Sequence, residues 1–416
     1  MAVTEDRAIT KIRFGEFVAL SAATMSTQAL AVDAMLPALP IILKALNVAD
    51  ANLGQWIITA YITGLSFGQL FWGIMSDRFG RRRILLTGLS LYVVAAFVCT
   101  LAGSFKMLLV WRFVHGVAAA CTTVIRSAVR DQYSGRQMAR VVSLTFVVFI
   151  MVPIIAPSVG QGILWLAPWR VIFAVFGIFA GLVAVWLAIR LPETLHPEYR
   201  MTLTREHIVS AVRLVLWDRN SLFYTLAVML MFGSLIAYVG TVQQIFTVTF
   251  QRPTLMPGMF ALCAILMGVA AYGNSRIVER LGMRRISHAA LLVFITVAVL
   301  HTAVAVMGLE QIWTFVVFQS LTMATFSLSV SNFGAMAMEP VGSVAGVAAS
   351  LQGFISTFFG ALIAAFIGKQ FNGTTVPLAL GAIICGTLAL VCVLVAENGR
   401  LFAPHHGGED AALLMH

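Results

Sequence analysis

Charge is scarce in this sequence. Asp, Glu, Lys and Arg make up 11% of its 416 residues, against roughly a quarter in an ordinary soluble domain. So few charges cannot coat a water-exposed surface of this size, and 60% of the residues are hydrophobic. Most of the outer surface is therefore expected to face lipid. Also missing are the phosphate-cradling P-loop, the dinucleotide fingerprint, HExxH and GxSxG. Their absence argues against ATP-driven transport and membrane hydrolysis, so no enzyme is expected. Cysteine is sparse. Cys99, Cys121, Cys263, Cys385 and Cys392 each lie in an apolar stretch. None has metal-ligand spacing in a loop, and small packing residues are the plain reading. No metal and no cofactor are expected. A short cleavable leader is missing too: the first apolar stretch runs on past Leu36 and reads as a retained span.

What is abundant is the long hydrophobic run. A span needs about 20 apolar residues. Twelve such segments are expected, at 15–43, 52–73, 84–104, 107–128, 141–163, 170–190, 221–246, 256–274, 287–306, 312–333, 345–368 and 376–396. The fold class is thus an all-α integral membrane protein. The loops test the count. With a cytoplasmic N-terminus, 21 of the 27 Lys and Arg fall on the cytoplasmic side and five outside, with Arg112 inside a span. That bias is the positive-inside pattern; one misplaced span would invert every later loop and blur it. Both termini are placed in the cytoplasm. The net charge of +10 sits between apolar segments, which fits a membrane surface and not nucleic acid.

The longest polar connection, near the middle of the chain, suggests a division. A six-helix bundle is expected over 1–190, a cytoplasmic linker over 191–220, a second bundle over 221–400 and a cytoplasmic tail over 401–416. A repeat supports it. Asp77-Arg78-Phe79-Gly80-Arg81-Arg82-Arg83 follows the second span, and Glu279-Arg280-Leu281-Gly282-Met283-Arg284-Arg285 follows the eighth. Both read acid, Arg, apolar, Gly, any, Arg, Arg. Duplicated halves with a site between them near the midplane are a transporter architecture. Gly80 permits a tight turn. Asp77 can pair with nearby arginines, or with the positive end of a helix in the other half. Gly73, Asp77, Arg78, Gly80, Arg81, Arg82 and Asp131 are therefore gating candidates.

Charges inside spans cost free energy and mark candidate sites. Asp33 lies two-thirds of the way along the first span. Caught between burial and nearby cations, it can load and release a proton; the bland alternatives are a static ion pair or an acid at the outer surface. Arg112 must find an anion, a carbonyl or water, or else snorkel outward. His115, one turn on, either titrates or serves as a neutral hydrogen-bonding group. Pro153, Pro157 and Gly160 bend the fifth span and let it pack closely. Gln28, Tyr61, Phe232, Tyr238, Gln243, Gln244, Asn332, Gln352 and Phe359 are candidate substrate contacts in a mostly apolar pocket. Glu16, Glu310 and Glu339 read as solvated acids at span ends or in loops.

The segment from Gly73 to Arg83 resembles the loop signature of the major facilitator superfamily. Further pieces resemble its drug/proton antiporter branch, the exporters related to bicyclomycin and chloramphenicol resistance. These are Asp33 to Pro40, Gly64 with Gln69, Arg112 with Gly116, Val129-Arg130-Asp131, Pro153 to Pro157 with Gly160, Trp169-Arg170 with Phe173, and Leu191 to Leu195. Asn332, and Ala345-Gly346 in the second half, add to it. The family usually has Gln at His115, Gly at Gln161, and often Tyr at Met35 or Leu36.

The resemblance implies two pseudo-symmetric six-helix halves and alternating access. It implies a proton-coupling role for Asp33 and Arg112, an antiporter motif on the fifth helix, and a bacterial inner membrane. The expected function is proton-driven export of small amphiphilic molecules by a monomer, whose partners are the substrate, protons and the bilayer. Two alternatives stay open: a proton-coupled carrier of one nutrient, sugar or siderophore-like compound, and a non-transporting receptor.

Overall fold

The computed structural model describes residues 12–133, 135–195 and 212–402. Among these residues there are helices and no strands. The long helices are α1 (Phe14–Asp33), α3 (Gln55–Phe79), α4 (Arg81–Thr100), α5 (Phe105–Ala119), α7 (Gly135–Leu166) and α8 (Arg170–Arg190). After the middle connection come α9 (Arg219–Gln244), α10 (Met256–Leu281), α11 (Met283–Val306), α12 (Ile312–Met338), α13 (Ala345–Lys369) and α14 (Val376–Ala396). Two short helices, α2 (Leu39–Ala45) and α6 (Val124–Gln132), continue α1 and α5 after a break. Eleven of the helical segments are long and apolar enough to cross a membrane. The protein is thus a multi-pass membrane protein. In α7 the apolar stretch Met151–Leu166 is shorter within the described residues. Residues 196–211 of the expected cytoplasmic linker (191–220) and 403–416 of the expected cytoplasmic tail (401–416) lie outside the described residues.

The breaks have local causes. Asp33 ends α1, a single turn Leu36–Ala38 carries Pro37, and Pro40 opens α2. Proline has no N–H and suits a first turn. Between α5 and α6 the hydroxyls of Thr122 and Thr123 bond the carbonyls of Ala119 and Ala120 at 2.9 and 2.8 Å. Such back-bonds compete with the helical ladder, and the chain tightens to a 3₁₀ turn over Ala120–Thr123.

The helices pack in matching pairs. In the first group α3 packs on α5, α1 on α7 and α8, and α4 on α5 and α8. In the second, α10 packs on α12, α9 on α13 and α14, and α11 on α12 and α14. Between the groups α3 packs on α13 and α7 on α10. The α3–α5 seam is built on absent side chains. A Cβ on Gly64 would stand 2.0 Å from the Phe113 carbonyl, and one on Gly116 would stand 1.9 Å from that of Tyr61. Backbones approach this closely only through glycine.

Candidate functional site

Asp33 sits at the C-terminal end of α1, 7% exposed, and among the described residues its carboxylate has no hydrogen bond and no ion pair. Tyr61 of α3 and Tyr238 of α9 both lie within electrostatic reach of it. One tyrosine comes from each group of helices, so Asp33 lies near their boundary. α7 presses directly on this point. A Cβ on Gly160 would fall 1.8 Å from the carbonyl of Ala34, the residue after Asp33. Pro157, inside α7, leaves the Pro153 carbonyl without its usual helical donor.

Arg112 is completely buried. It does not pair with Asp33. Its guanidinium donates to the carbonyls of Ile57 (3.3 Å) and Ala31 (3.2 Å) and to Nδ1 of His115 (3.1 Å). It also lies over the Tyr61 ring, 4.3 Å from the centroid. Its link to Asp33 runs through the α1 backbone, two residues away. Because arginine only donates, His115 Nδ1 accepts and the ring proton lies on Nε2. That Nε2 is buried without a partner, beside the rings of Tyr92 and Tyr61. Protonating Nδ1 would break the bond and set two cations about 3 Å apart. The geometry therefore favours the neutral-group alternative for His115.

The loop motif forms one arginine-centred knot. Arg81, 3% exposed, reaches Asp77 at 2.5 Å, Asp131 at 3.0 Å and the Ser76 hydroxyl at 2.6 Å. Its backbone N–H donates to Glu193 Oε1 at 2.7 Å. Gly80 has φ of +99°, and a Cβ there would strike Glu193 Oε2 at 2.3 Å. Arg82 donates to the Ala188 carbonyl at 2.5 Å, and Arg78 stacks on Phe79. Of the two partners open to Asp77 by sequence, the structure has the nearby arginine. One turn earlier, Gly73 abuts the second group: a Cβ there would be 3.3 Å from Ser350 Oγ.

At the opposite, arginine-poor end the two groups are tied together. Asn52 Nδ2 donates to the carbonyls of Lys369 (3.3 Å) and Phe371 (3.2 Å), and its Oδ1 accepts from Gln244 at 2.6 Å. Gly368 makes room for the Gln55 amide, which a Cβ would overlap at 1.6 Å. Among the described residues these are the only side-chain hydrogen bonds between the groups. Sequence reasoning missed Asn52, the first residue of the second expected span, whose partners lie more than 190 positions away.

The sequence profile of the Major Facilitator Superfamily matches residues 21–365. The chain belongs to the major facilitator superfamily. It is 32% identical over 373 residues to an uncharacterized transporter of the same type, YdgK, from Bacillus subtilis, covering 86% of this chain and 89% of that one. A bicyclomycin resistance protein homolog of Haemophilus influenzae is 29% identical, covering 88% and 93%. The multidrug resistance protein MdtL of Klebsiella pneumoniae is 26% identical, covering 89% and 93%. Among solved structures, the partially occluded inward-open xylose transporter XylE from E. coli matches with a TM-score of 0.72 at 13% identity. That match covers 94% of this chain and 98% of XylE. The human organic anion transporter MFSD10 matches with a TM-score of 0.64 at 19% identity, covering 93% and 100%. These relatives are transporters, not enzymes.

In this superfamily member the substrate candidates scatter. Tyr61 donates to the Gln28 carbonyl at 3.1 Å, and Thr122 donates to the Gln28 amide oxygen at 3.0 Å. Tyr238 stacks on Phe260, and Phe232 meets Phe326 edge-on. Gln243 and Gln244 line a cavity of about 110 Å³ beneath Asn52, together with Leu39, Leu43 and Gln55. Asn332 and Gln352 are spent on internal bonds, to Asn274 (2.9 Å) and to Ser221 (2.9 Å). Phe359 is 43% exposed against Phe358.

Of the acids expected to be solvated, Glu16 is part-exposed but ion-paired, and Glu310 is largely buried. Glu16 holds Arg190 through both oxygens at 2.5 and 2.6 Å. Glu310 is buried against His301 (2.6 Å) and the Thr375 hydroxyl. Glu339 is exposed as expected.

Proposed function

We propose that the chain is a proton-coupled antiporter that exports small amphiphilic molecules. On this reading twelve helices form two six-helix halves, α1–α8 and α9–α14, that rock about a central site. The matching packing pairs favour that division. So do Gly80 and Gly282, which share one backbone conformation (φ +99° and +80°, ψ 151° and 149°). The arginine bias orients the knot around Arg81 toward the cytoplasm of a bacterial inner membrane, with both termini on that side.

One observation carries the coupling: Asp33 is a carboxylate inside a span, nearly enclosed, with no partner among the described residues. Such a group is costly to leave ionised in a low-dielectric setting. When the outer end opens, water reaches Asp33 and a proton is exchanged there. Gly160 and the bent α7 seal the path past it. Arg112 braces α1 from behind through the Ala31 carbonyl. The knot around Arg81 and the tie at Asn52 close the two ends in turn. The drug-resistance names of two relatives favour drug-like cargo over a single nutrient.

The test is transport in proteoliposomes under an imposed pH gradient. Wild type should accumulate substrate against its gradient when the periplasmic side is acidic. Asp33→Asn should abolish that drive while substrate binding persists. Unchanged pH-driven transport in Asp33→Asn would remove this carboxylate from the mechanism.

A further inference from the structure

We propose that Arg126 receives an anionic group, a carboxylate, phosphate or sulfonate, inside the cavity between the halves. This makes organic anions part of the cargo and rests on the exporter reading above. By sequence Arg126 lies at the cytoplasmic end of the fourth expected span, 107–128. In the structure it lies on α6, within the fourth span Phe105–Gln132.

The faces of α6 are sharply divided. Val124, Ile125, Ala128 and Val129 are buried. Arg126 and Arg130 are exposed, one turn apart. Yet Arg126 is no rim residue: it lies six residues before the end of the span Phe105–Gln132, and an exposed charge at that depth faces water and not lipid. That combination describes the wall of a water-filled recess. Its depth can be placed along the helices. Arg126 is five residues before Asp131, about 7–8 Å further in. It is four residues after Thr122, whose hydroxyl bonds Gln28 of α1. Gln28 is in turn five residues before Asp33, so Arg126 and Asp33 are separated by roughly 13 Å of helix. The arginine-poor end is tied shut, so the recess opens toward the arginine-rich end.

An arginine cannot discard its charge, and within a span it needs an anion, a carbonyl or water. Among the described residues Arg126 has no hydrogen bond and no ion pair. Among the described residues, the acids of its own half at this end are already engaged. Asp77 and Asp131 are held by Arg81, Glu16 by Arg190, and Glu193 by backbone N–H groups. Arg130 one turn away adds repulsion at i, i+4. A planar guanidinium with free donors facing water suits a carboxylate through two parallel bonds. An anionic lipid headgroup offers the same chemistry and is the other source of such a group.

The experiment compares 4-fluorophenylacetate with its uncharged analogue 4-fluorophenylacetamide. Binding to the full chain in phosphatidylcholine nanodiscs is read by ¹⁹F saturation-transfer NMR. Wild type should hold the acid about tenfold more tightly than the amide, the factor expected for a charged hydrogen bond. Arg126→Gln should erase the preference, and Arg126→Lys, which keeps the charge and guards against misfolding, should retain part of it. Binding is read with no pH gradient, so this outcome is independent of the transport test on Asp33→Asn. If added phosphatidylglycerol competes the acid away in wild type alone, the anion site stands and its occupant is lipid. Equal affinity for acid and amide in wild type, or an undiminished preference in both Arg126 variants, overturns the proposal.

Discussion

At the scale of single residues, the buried cation Arg112 and its neighbour His115 divide their labour. Arg112 spends its donors on two carbonyls and one ring nitrogen, and that last bond fixes the imidazole as an acceptor. On this reading His115 is a positioning residue and not a proton carrier. Glutamine can accept the same bond through its side-chain oxygen, and leucine cannot. His115→Gln should therefore keep the pH profile of transport unchanged and the rate within about threefold. His115→Leu should lower thermal stability by about 1–3 kcal/mol, the cost of stranding a buried donor. A flattened pH profile in His115→Gln would instead mark the imidazole as a titrating carrier. Asp33, which has no partner among the described residues, is where the proton argument stands or falls.

At the scale of helices, close approach through glycine does the positioning. α7 lies against α1 because Gly160 has no side chain beside Ala34. Gly160→Ala should push α7 outward, with a stability loss of about 1–3 kcal/mol from overpacking. It should also open a proton leak, measurable with a pH-sensitive dye in liposomes without substrate. A tight liposome would mean that this contact serves packing alone. Helices were also the most legible part of the sequence. Each expected span from 15–43 to 376–396 overlaps a long helix, because a run of 20 apolar residues in lipid has one good way to satisfy its backbone. The ends were less legible. α3 reaches Phe79, α10 reaches Leu281 and α12 reaches Met338. Hydropathy fades there, while local bonds such as Arg81 to Asp77 carry order through polar sequence. The break after Asp33 was signalled by Pro37 and Pro40; the one at Thr122 had no comparable mark. Pairings over long separations, Glu16 with Arg190 or Glu310 with Thr375, were not readable at all. A carboxylate near a span end looks the same in sequence whether it meets water or a distant cation.

At the scale of the whole molecule, the two groups of helices meet asymmetrically among the described residues. Side-chain hydrogen bonds join them at the arginine-poor end, and the arginine-rich end is knotted within one half. Asn52 accepts or donates in all three cross-half bonds that involve a side chain. Removing them with Asn52→Ala should favour the form open at that end. Each such bond is worth roughly 0.5–1.5 kcal/mol net, so losing all three should shift the balance at least about tenfold. Spin labels at Asp50 and Thr374, both exposed beside the tie, should report a larger long-distance population by electron paramagnetic resonance. An unaltered distribution would mean that the tie does not hold the halves.

The tie at Asn52 is made of amides and carbonyls, none of which bears a formal charge. Parting them carries no current across the bilayer. A membrane voltage does work only on net charge that moves, about 2.3 kcal/mol per elementary charge per 100 mV. On the proposed cycle, voltage acts on the charged groups and ionic load that move with the helices, and not on the tie itself.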